Sequence, residues 1–348
     1  MDFKSALRDL VREGNLLNRD LIAVLSSPTR AEREAFATCW CQIGEARKCE
    51  IISRMVELAE ERFELDYAAL FRHCLGDANA TVRRYAIEGL WEDESADLVE
   101  PLLRLLSTDP DPGVRAAAAT SVGRFLFQAE CDELDERHGA LIRQALERAI
   151  DDPGENVEVI RRAVESIAYI NDDAVRRIID RAYDHSDRRM RESAIFAMGR
   201  SADPFWADTV LAELYSDSPA IRYEAARACG ELELGPAVGR LIDLVADPER
   251  EVQSMAVWAL GQIGGDRSRT ILERLAESED ELLSGTASEA LDELRFLTRP
   301  LDLLVHTVED GCLTGIEFAP RDEECEAADY GGHGRDEDGR EDNSIDLS

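Results

Sequence analysis

A nine-residue apolar pattern recurs seven times along the chain, and it limits the possible folds more than any other feature. The copies begin at Val82, Val114, Val159, Met190, Ile221, Val252 and Leu283. Their starts are separated by 32, 45, 31, 31, 31 and 31 residues, so one insertion is expected near residues 125–139. A fixed period of this size indicates a repeat architecture, in which one supersecondary unit is stacked many times.

Small residues occupy two fixed positions of the pattern. The eighth position always holds Gly, Ala or Ser, and the first and ninth positions are apolar or cysteine. The fifth position is alanine in every copy: Ala86, Ala118, Ala163, Ala194, Ala225, Ala256 and Ala287. Positions 1, 5, 8 and 9 share one face of a helix, and small residues there allow a neighbouring helix to come close.

A second apolar run precedes each copy, for example LVEPLLRLL before Val114 and AVGRLIDLV before Val252. Turn signals such as Asp109-Pro110 and Ser218-Pro219 separate the two runs. Each unit is therefore predicted to be a pair of antiparallel helices that cannot bury its apolar face alone. The fold class predicted is all-α, a right-handed α-α superhelix of about seven helical hairpins.

The unit D-x-x-x-x-VR-x-x-A-x-x-A-L-G-x-I-G, best seen in DPEREVQSMAVWALGQIG at residues 247–264, resembles the short HEAT repeat of the phycobilisome-lyase-like class. This resemblance covers residues 66–297 and implies an armadillo-like helical solenoid. It also implies a ladder between units, made by a turn aspartate and an arginine six positions later. Asp77 and Arg83 keep that spacing, whereas Gln253 follows Asp247. The stretches FELDYAALFRHCL and FAMGRSAD resemble bacterial, Chloroflexi-like HEAT proteins.

Four segments are predicted from these patterns. Residues 1–65 form a helical N-terminal cap with a degenerate repeat, and residues 66–297 form the HEAT-like solenoid. Residues 298–320 form a small C-terminal cap. Asp310-Gly311 is a turn signal there, which favours a β-hairpin. Residues 321–348 form a disordered tail, because 11 acidic residues face 3 arginines there without a core-forming run.

The charge balance is strongly acidic, with 74 acidic against 40 basic residues and a formal net charge of −34. A phosphate backbone or an anionic membrane needs a basic footprint, so neither nucleic acid nor membrane is expected as a partner. A protein partner with a basic surface fits better, although salt adaptation would also produce such acidity. No apolar run approaches the ~20 residues that span a bilayer, and the N-terminus lacks a signal-peptide core. We therefore expect a cytoplasmic protein.

Three cysteines fall within CWCQIGEARKC at residues 39–49, which raises the question of a metal site. On a helix, Cys39 and Cys41 point in directions about 200° apart and cannot share one ion. CWCQIG resembles GQIG at residues 261–264, so we interpret it as the end of a second helix in a degenerate repeat. Small core cysteines are the expectation; a zinc site completed by His73 and Cys74, or a reactive thiol, is the alternative.

Motifs for catalysis are missing from the sequence. It has no glycine-rich phosphate loop, no G-x-S-x-G and no H-E-x-x-H, and its five histidines are scattered. Deoxyhypusine hydroxylase, another HEAT-type protein, binds iron through His-Glu dipeptides, and this sequence contains none. No catalytic residue, metal or cofactor is therefore predicted.

A row of aromatic and arginine residues provides the positive functional signal. Position 7 of three consecutive units holds Phe196, Arg227 and Trp258. Positions 3 and 4 of these units and of earlier ones add Tyr85, Arg162, Tyr223 and Met255. In HEAT solenoids the second helices line the concave surface, where such residues anchor interfaces. The alternatives are that these side chains only pack on one another, or that they line a small-molecule pocket.

The function predicted from these observations is a non-catalytic protein-interaction scaffold whose concave face binds a partner. The alternative, which follows from the resemblance, is a phycobilisome-lyase-like enzyme or another tetrapyrrole-handling protein.

Overall fold

A computed structural model describes residues 2–12 and 17–298, with side chains up to residue 295. This part of the chain contains eighteen α-helices and no strand. The N-terminal helices are α1 (Phe3–Val11), α2 (Arg19–Ala23), α3 (Arg30–Trp40) and α4 (Glu45–Glu61). Seven pairs follow: α5 (Ala68–Cys74) and α6 (Ala80–Gly89), α7 (Val99–Thr108) and α8 (Pro112–Glu130), α9 (Glu136–Asp151) and α10 (Val157–Ile167), α11 (Asp173–Tyr183) and α12 (Arg188–Arg200), α13 (Ala207–Glu213) and α14 (Pro219–Glu231), α15 (Val238–Leu244) and α16 (Arg250–Ile263), α17 (Gly265–Ala276) and α18 (Glu281–Thr298).

The seven repeat copies are the even-numbered helices from α6 to α18, and each packs on the odd-numbered helix before it. Each even-numbered helix also packs on the next one, which produces two stacked rows of first and second helices. The predicted all-α repeat superhelix is confirmed. Of the cap predicted at residues 298–320, only Thr298 is described, as the last residue of α18; the predicted hairpin and the acidic tail lie outside the described residues. No helix within the described ranges is both long and apolar enough to cross a membrane.

The N-terminal helices continue the two rows, because α3 contacts α5 and α4 contacts α6. The interpretation of residues 39–44 as the end of a second helix is therefore wrong. They end α3, which lies in the row of first helices, and they form the turn into α4. The second helix of this unit is α4, and its Met55, fully buried, stands where the later units have alanine.

The fixed alanines lie where the rows meet. All seven are 0% exposed, which explains why no larger side chain is found at that position from α6 to α18. A glycine at position 10 of one second helix packs on the small residue at position 8 of the next. A Cβ atom added to Gly199 would lie 2.7 Å from Ala228 Cα, and one added to Gly261 would lie 2.7 Å from Ala290 Cβ. Adjacent units therefore approach most closely on the side of the second helices, which is the concave side in HEAT solenoids.

The insertion near residues 125–139 is helical. It lengthens α8 to 19 residues and α9 to 16, and the chain turns between them at Asp132 with a φ of 60°. Phe125 and Leu126 in the added part of α8 are fully buried. The insertion thus extends the core where two successive units meet, because α8 and α9 pack on each other.

The ladder implied by the resemblance is present between units. Arg83 donates two hydrogen bonds of 2.7 Å to the carboxylate of Asp109 and one of 2.8 Å to the carbonyl oxygen of Asp77. Further along, Arg222 donates two bonds of 2.8 Å to Asp247. Gln253 donates only to the carbonyl oxygen of Asp247, at 2.6 Å, because an amide can replace the carbonyl contact but not the ion pair.

Candidate protein-binding face

The second helices α12, α14 and α16 present Phe196, Arg227 and Trp258 side by side. The guanidinium carbon of Arg227 lies 3.7 Å from the centroid of the Phe196 ring, which is close enough for a cation–π contact. The same guanidinium donates to Glu231 at 2.6 Å and to Glu224 at 3.4 Å. Its side chain is therefore only 15% exposed. Phe196 and Arg227 form one packed pair.

Trp258 completes this row from α16. Its ring lies across the backbone of α14, where atom Cζ3 would be 2.7 Å from a Cβ atom added to Gly230. The side chain is half-buried and packs against the core. A broad indole surface thus covers a helix that has a glycine at the point of contact.

The other four predicted binding residues have different surroundings. Tyr223 and Met255 are half-buried beside the row, on α14 and α16. Arg162 pairs with Glu158 and Glu165 of its own helix, at 2.9 Å each, so its charge is already compensated. Tyr85 lies on α6, separated from α12 by α8 and α10, under the guanidinium group of Arg84. The structure therefore brings five of the seven residues onto three neighbouring helices and leaves Arg162 and Tyr85 apart.

Carboxylates are interspersed with the row. Burial raises the pKa of Glu224 to about 7, and Glu165, Glu231 and Glu192 add to the shift while Arg227 opposes it. Glu165 accepts a hydrogen bond of 2.6 Å from the hydroxyl of Ser193 on the adjacent helix. This part of the second-helix face carries a dense set of acids held by arginines.

The row extends further than position 7 suggested. The guanidinium carbon of Arg200 lies 4.5 Å from the centroid of the Phe196 ring and 4.9 Å from that of the Tyr169 ring. Arg200 also donates a hydrogen bond of 2.7 Å to the Tyr169 hydroxyl. Phe127 continues the row, with its ring centroid 5.1 Å from that of Tyr169. Arg200 and Tyr169 occupy position 11 of their units, one turn beyond position 7. The sequence thus carries a signal for them, an aromatic residue and an arginine at the same position of consecutive units.

The cysteines do not converge. Cys39 is half-buried with its thiol against the carbonyl oxygen of Leu7, Cys49 is half-buried beside Asn79, and Cys41 is exposed. The expectation of core cysteines is therefore wrong for Cys41, which lies at the end of α3, where the chain turns out to solvent. Within the described residues, no group of three or more His, Cys, Asp or Glu side chains has the arrangement of a metal site.

Comparisons with known proteins identify the repeat. The family described as HEAT repeats matches residues 67–151 and 207–292. No curated protein matches the chain.

Solved structures with a similar fold have low sequence identity. Human deoxyhypusine hydroxylase is 16% identical, with 84% of this chain and 96% of that chain covered and a TM-score of 0.33. The complex of CpcE and CpcF of phycocyanin lyase from Nostoc sp. PCC7120 is 20% identical, with 82% and 97% covered and a TM-score of 0.44. Importin beta is 13% identical, with 83% and 46% covered and a TM-score of 0.45. These similarities carry no information on activity or partners.

Two rows of helices, buried alanines at a fixed repeat position and an Asp–Arg ladder between units agree with the family match. The chain therefore contains HEAT repeats, at residues 67–151 and 207–292, within an all-α repeat superhelix.

Proposed function

We propose that this protein is a non-catalytic scaffold that binds a partner protein on the second-helix face centred on Phe196, Arg227 and Trp258. The observation that carries the proposal is the contact of the Phe196 ring with two guanidinium groups, those of Arg200 and Arg227. These contacts fix the ring and the arginines before a partner arrives, which lowers the entropy cost of binding. Aromatic and arginine residues in such rigid positions are the usual anchors of interfaces.

The charge of the chain favours a basic partner. Acidic residues outnumber basic residues by 74 to 40, and Arg227 and Arg162 are paired with carboxylates of their own helices. The long-range field is therefore negative, and it would increase the rate at which a basic surface reaches the face. The same field disfavours nucleic acid and anionic membranes as partners. A cytoplasmic location and the segment boundaries at 65/66, 297/298 and 320/321 belong to this proposal as well.

The test is capture of a partner by the purified full chain, followed by mass spectrometry and an absorbance scan. Wild type is compared with a Phe196→Ala/Trp258→Ala variant and with a Phe205→Ala/Tyr215→Ala variant. The second pair is the matched control, because Phe205 and Tyr215 are exposed aromatic residues near the two ends of α13, which belongs to the row of first helices. Thermal unfolding of each variant establishes that it is folded.

A partner that wild type and the control retain, and that the Phe196→Ala/Trp258→Ala variant loses, supports the proposal. Equal recovery by all three proteins contradicts it and shows that the row is only a packing feature. A chromophore that copurifies with the chain favours the tetrapyrrole-handling alternative.

A further inference from the structure

A cleft of about 680 Å³ lies between α4, α5 and α6, at the end of the second-helix face away from Trp258. Phe63, Tyr67, Phe71 and Trp91 contribute rings to its lining, and Glu60, Glu88, Glu92 and Glu94 contribute carboxylates. Its size is that of a site for a small ligand or for a few residues of a peptide.

Two of the four rings are exposed. Phe63, in the turn after α4, is 89% exposed, and Trp91, just after α6, is 57% exposed. Tyr67 and Phe71 are buried and form the wall behind them. Burial of one such ring contributes roughly 1.5–3 kcal/mol, so leaving two of them in water forgoes a substantial stabilisation.

Trp91 interrupts the glycine pattern of the second helices. It occupies position 10, where Gly199 and Gly230 allow close contact between later units. The guanidinium carbon of Arg124 lies 5.8 Å from the Trp91 ring centroid, and this guanidinium donates bonds of 2.8 Å to the carbonyl oxygens of Leu90 and Asp93. The backbone beneath Trp91 is therefore held in place, while the indole itself projects into the cleft.

The carboxylates of the cleft are in excess over its cations. Within the described part of the chain, no arginine or lysine forms an ion pair with Glu60, Glu92 or Glu94. Glu88 has Arg84 at 3.5 Å, and burial together with Glu60 raises the pKa of Glu88. Asp93, by contrast, is held by Arg72 at 2.7 Å and is structural.

We propose that this cleft binds an arginine side chain of a basic partner segment. The planar guanidinium group can stack on Trp91 or Phe63 and at the same time donate to the carboxylates that form no ion pair. Neither half of the site is sufficient: rings alone would accept any apolar group, and acids alone would attract any cation. The inference rests on the proposed function, because it names a feature of the partner that the scaffold would hold.

The test uses the full chain and three synthetic peptides. The first carries two arginines in a glycine-serine context, the second carries lysine in their place, and the third carries citrulline, which is neutral and nearly the same shape as arginine. Affinity is measured by calorimetry and by tryptophan fluorescence. Trp40 and Trp206 are buried, so a change in fluorescence on binding reports on Trp91 or Trp258.

The arginine peptide is expected to bind at least tenfold more tightly than the citrulline peptide, and more tightly than the lysine peptide. Phe63→Ala/Trp91→Ala and Glu60→Gln/Glu94→Gln are each expected to weaken binding at least tenfold. The matched charge control is Glu100→Gln/Asp208→Asn, which removes two exposed acids from the first helices α7 and α13. Equal weakening by both acid pairs would show diffuse attraction and overturn the cleft, and so would failure of wild type to prefer arginine over citrulline.

Failure of this inference is distinguishable from failure of the proposed function. The Phe196→Ala/Trp258→Ala variant should keep its affinity for the arginine peptide and lose only the partner. If wild type captures a partner through Phe196 and Trp258 but does not select arginine, only the cleft is disproved. If it selects arginine but its partner ignores Phe196 and Trp258, only the central row is disproved.

Discussion

Arg83 of α6 and Asp109 in the turn before α8 form a bidentate ion pair between two units, with both N–O distances at 2.7 Å. The side chains are only 9% and 4% exposed, so each buried charge is compensated by the other. Arg83 also donates to the carbonyl oxygens of Asp77 and Ala78, which closes the turn of its own unit. One side chain thus joins the two turns that begin successive second helices.

Replacing Arg83 with methionine is expected to destabilise the protein by about 3–5 kcal/mol, because Asp109 becomes a buried charge without a partner. Arg84→Met is the control: Arg84 is 47% exposed and 3.5 Å from Glu88, so the expected loss is below about 1 kcal/mol. Urea unfolding measures both. A second change, Asp109→Leu in the Arg83→Met background, should recover part of the loss; equal losses at Arg83 and Arg84 would show that the pair contributes little.

Replacing glycine with alanine is expected to change stability in opposite directions at two sites, position 10 of a second helix and the first helix α15. Gly199→Ala places a methyl group 2.7 Å from Ala228 Cα, so the helices must separate, at a cost of about 1–3 kcal/mol. Gly239 lies in α15 with no atom near the added Cβ, so Gly239→Ala should stabilise by about 0.5–1 kcal/mol. Thermal unfolding compares the two variants. A stabilising Gly199→Ala would mean that adjacent units are not as close as described.

The fold could be predicted because every unit from α6 to α18 has alanine at the same position, so that the repeat period is visible in the sequence. Any side chain larger than alanine at Ala194 or Ala225 would meet a neighbouring helix, so the constraint is written into every copy. The unit of α3 and α4 does not show this period, because Met55 stands at the position of the alanine. With methionine in place of alanine, α4 no longer shows the pattern of the later second helices, although it packs on α6 as they pack on one another.

The exposure of the binding row was less predictable. Position 7 defines the face on which Phe196 lies, but not which side chains cover its ring. Arg200 lies one turn further along the same helix, and Arg227 lies 31 residues later, at the same position of the next unit. Both contacts with the ring depend on the rotamers of the arginine side chains. The cleft at Phe63 and Trp91 does not follow from position 7, because Trp91 occupies position 10 and Phe63 lies in the turn after α4.

Glu224 should make stability depend on pH near neutrality. Its side chain is 20% exposed, and burial raises its pKa from 4.5 to about 7. Because the folded pKa is the higher one, the contribution of Glu224 is fully present below pH 4.5 and is lost as the pH rises through 7. The loss is about 3 kcal/mol for a shift of this size.

The Glu224→Gln variant removes that dependence. Relative to this variant, wild type should be progressively less stable between pH 4.5 and pH 8, as measured by urea unfolding at several pH values. Glu251→Gln on α16 is the control, because this exposed carboxylate is hydrated in the folded and unfolded chain alike. Parallel stability curves for wild type and Glu224→Gln would contradict the assignment.

The thiols should react in an order set by burial. Cys41 and Cys131 are exposed, whereas Cys74 and Cys229 are buried, and burial raises the pKa of Cys229 to about 12. Since the thiolate is the reactive form, iodoacetamide should label Cys41 and Cys131 before Cys74 and Cys229 in the native protein. Peptide mapping by mass spectrometry measures each site separately, and labelling in urea provides the control in which all sites are accessible. Early labelling of Cys229 in the native protein would show that α14 opens away from α12 and α16, because Cys229 is fully buried while these helices are packed together.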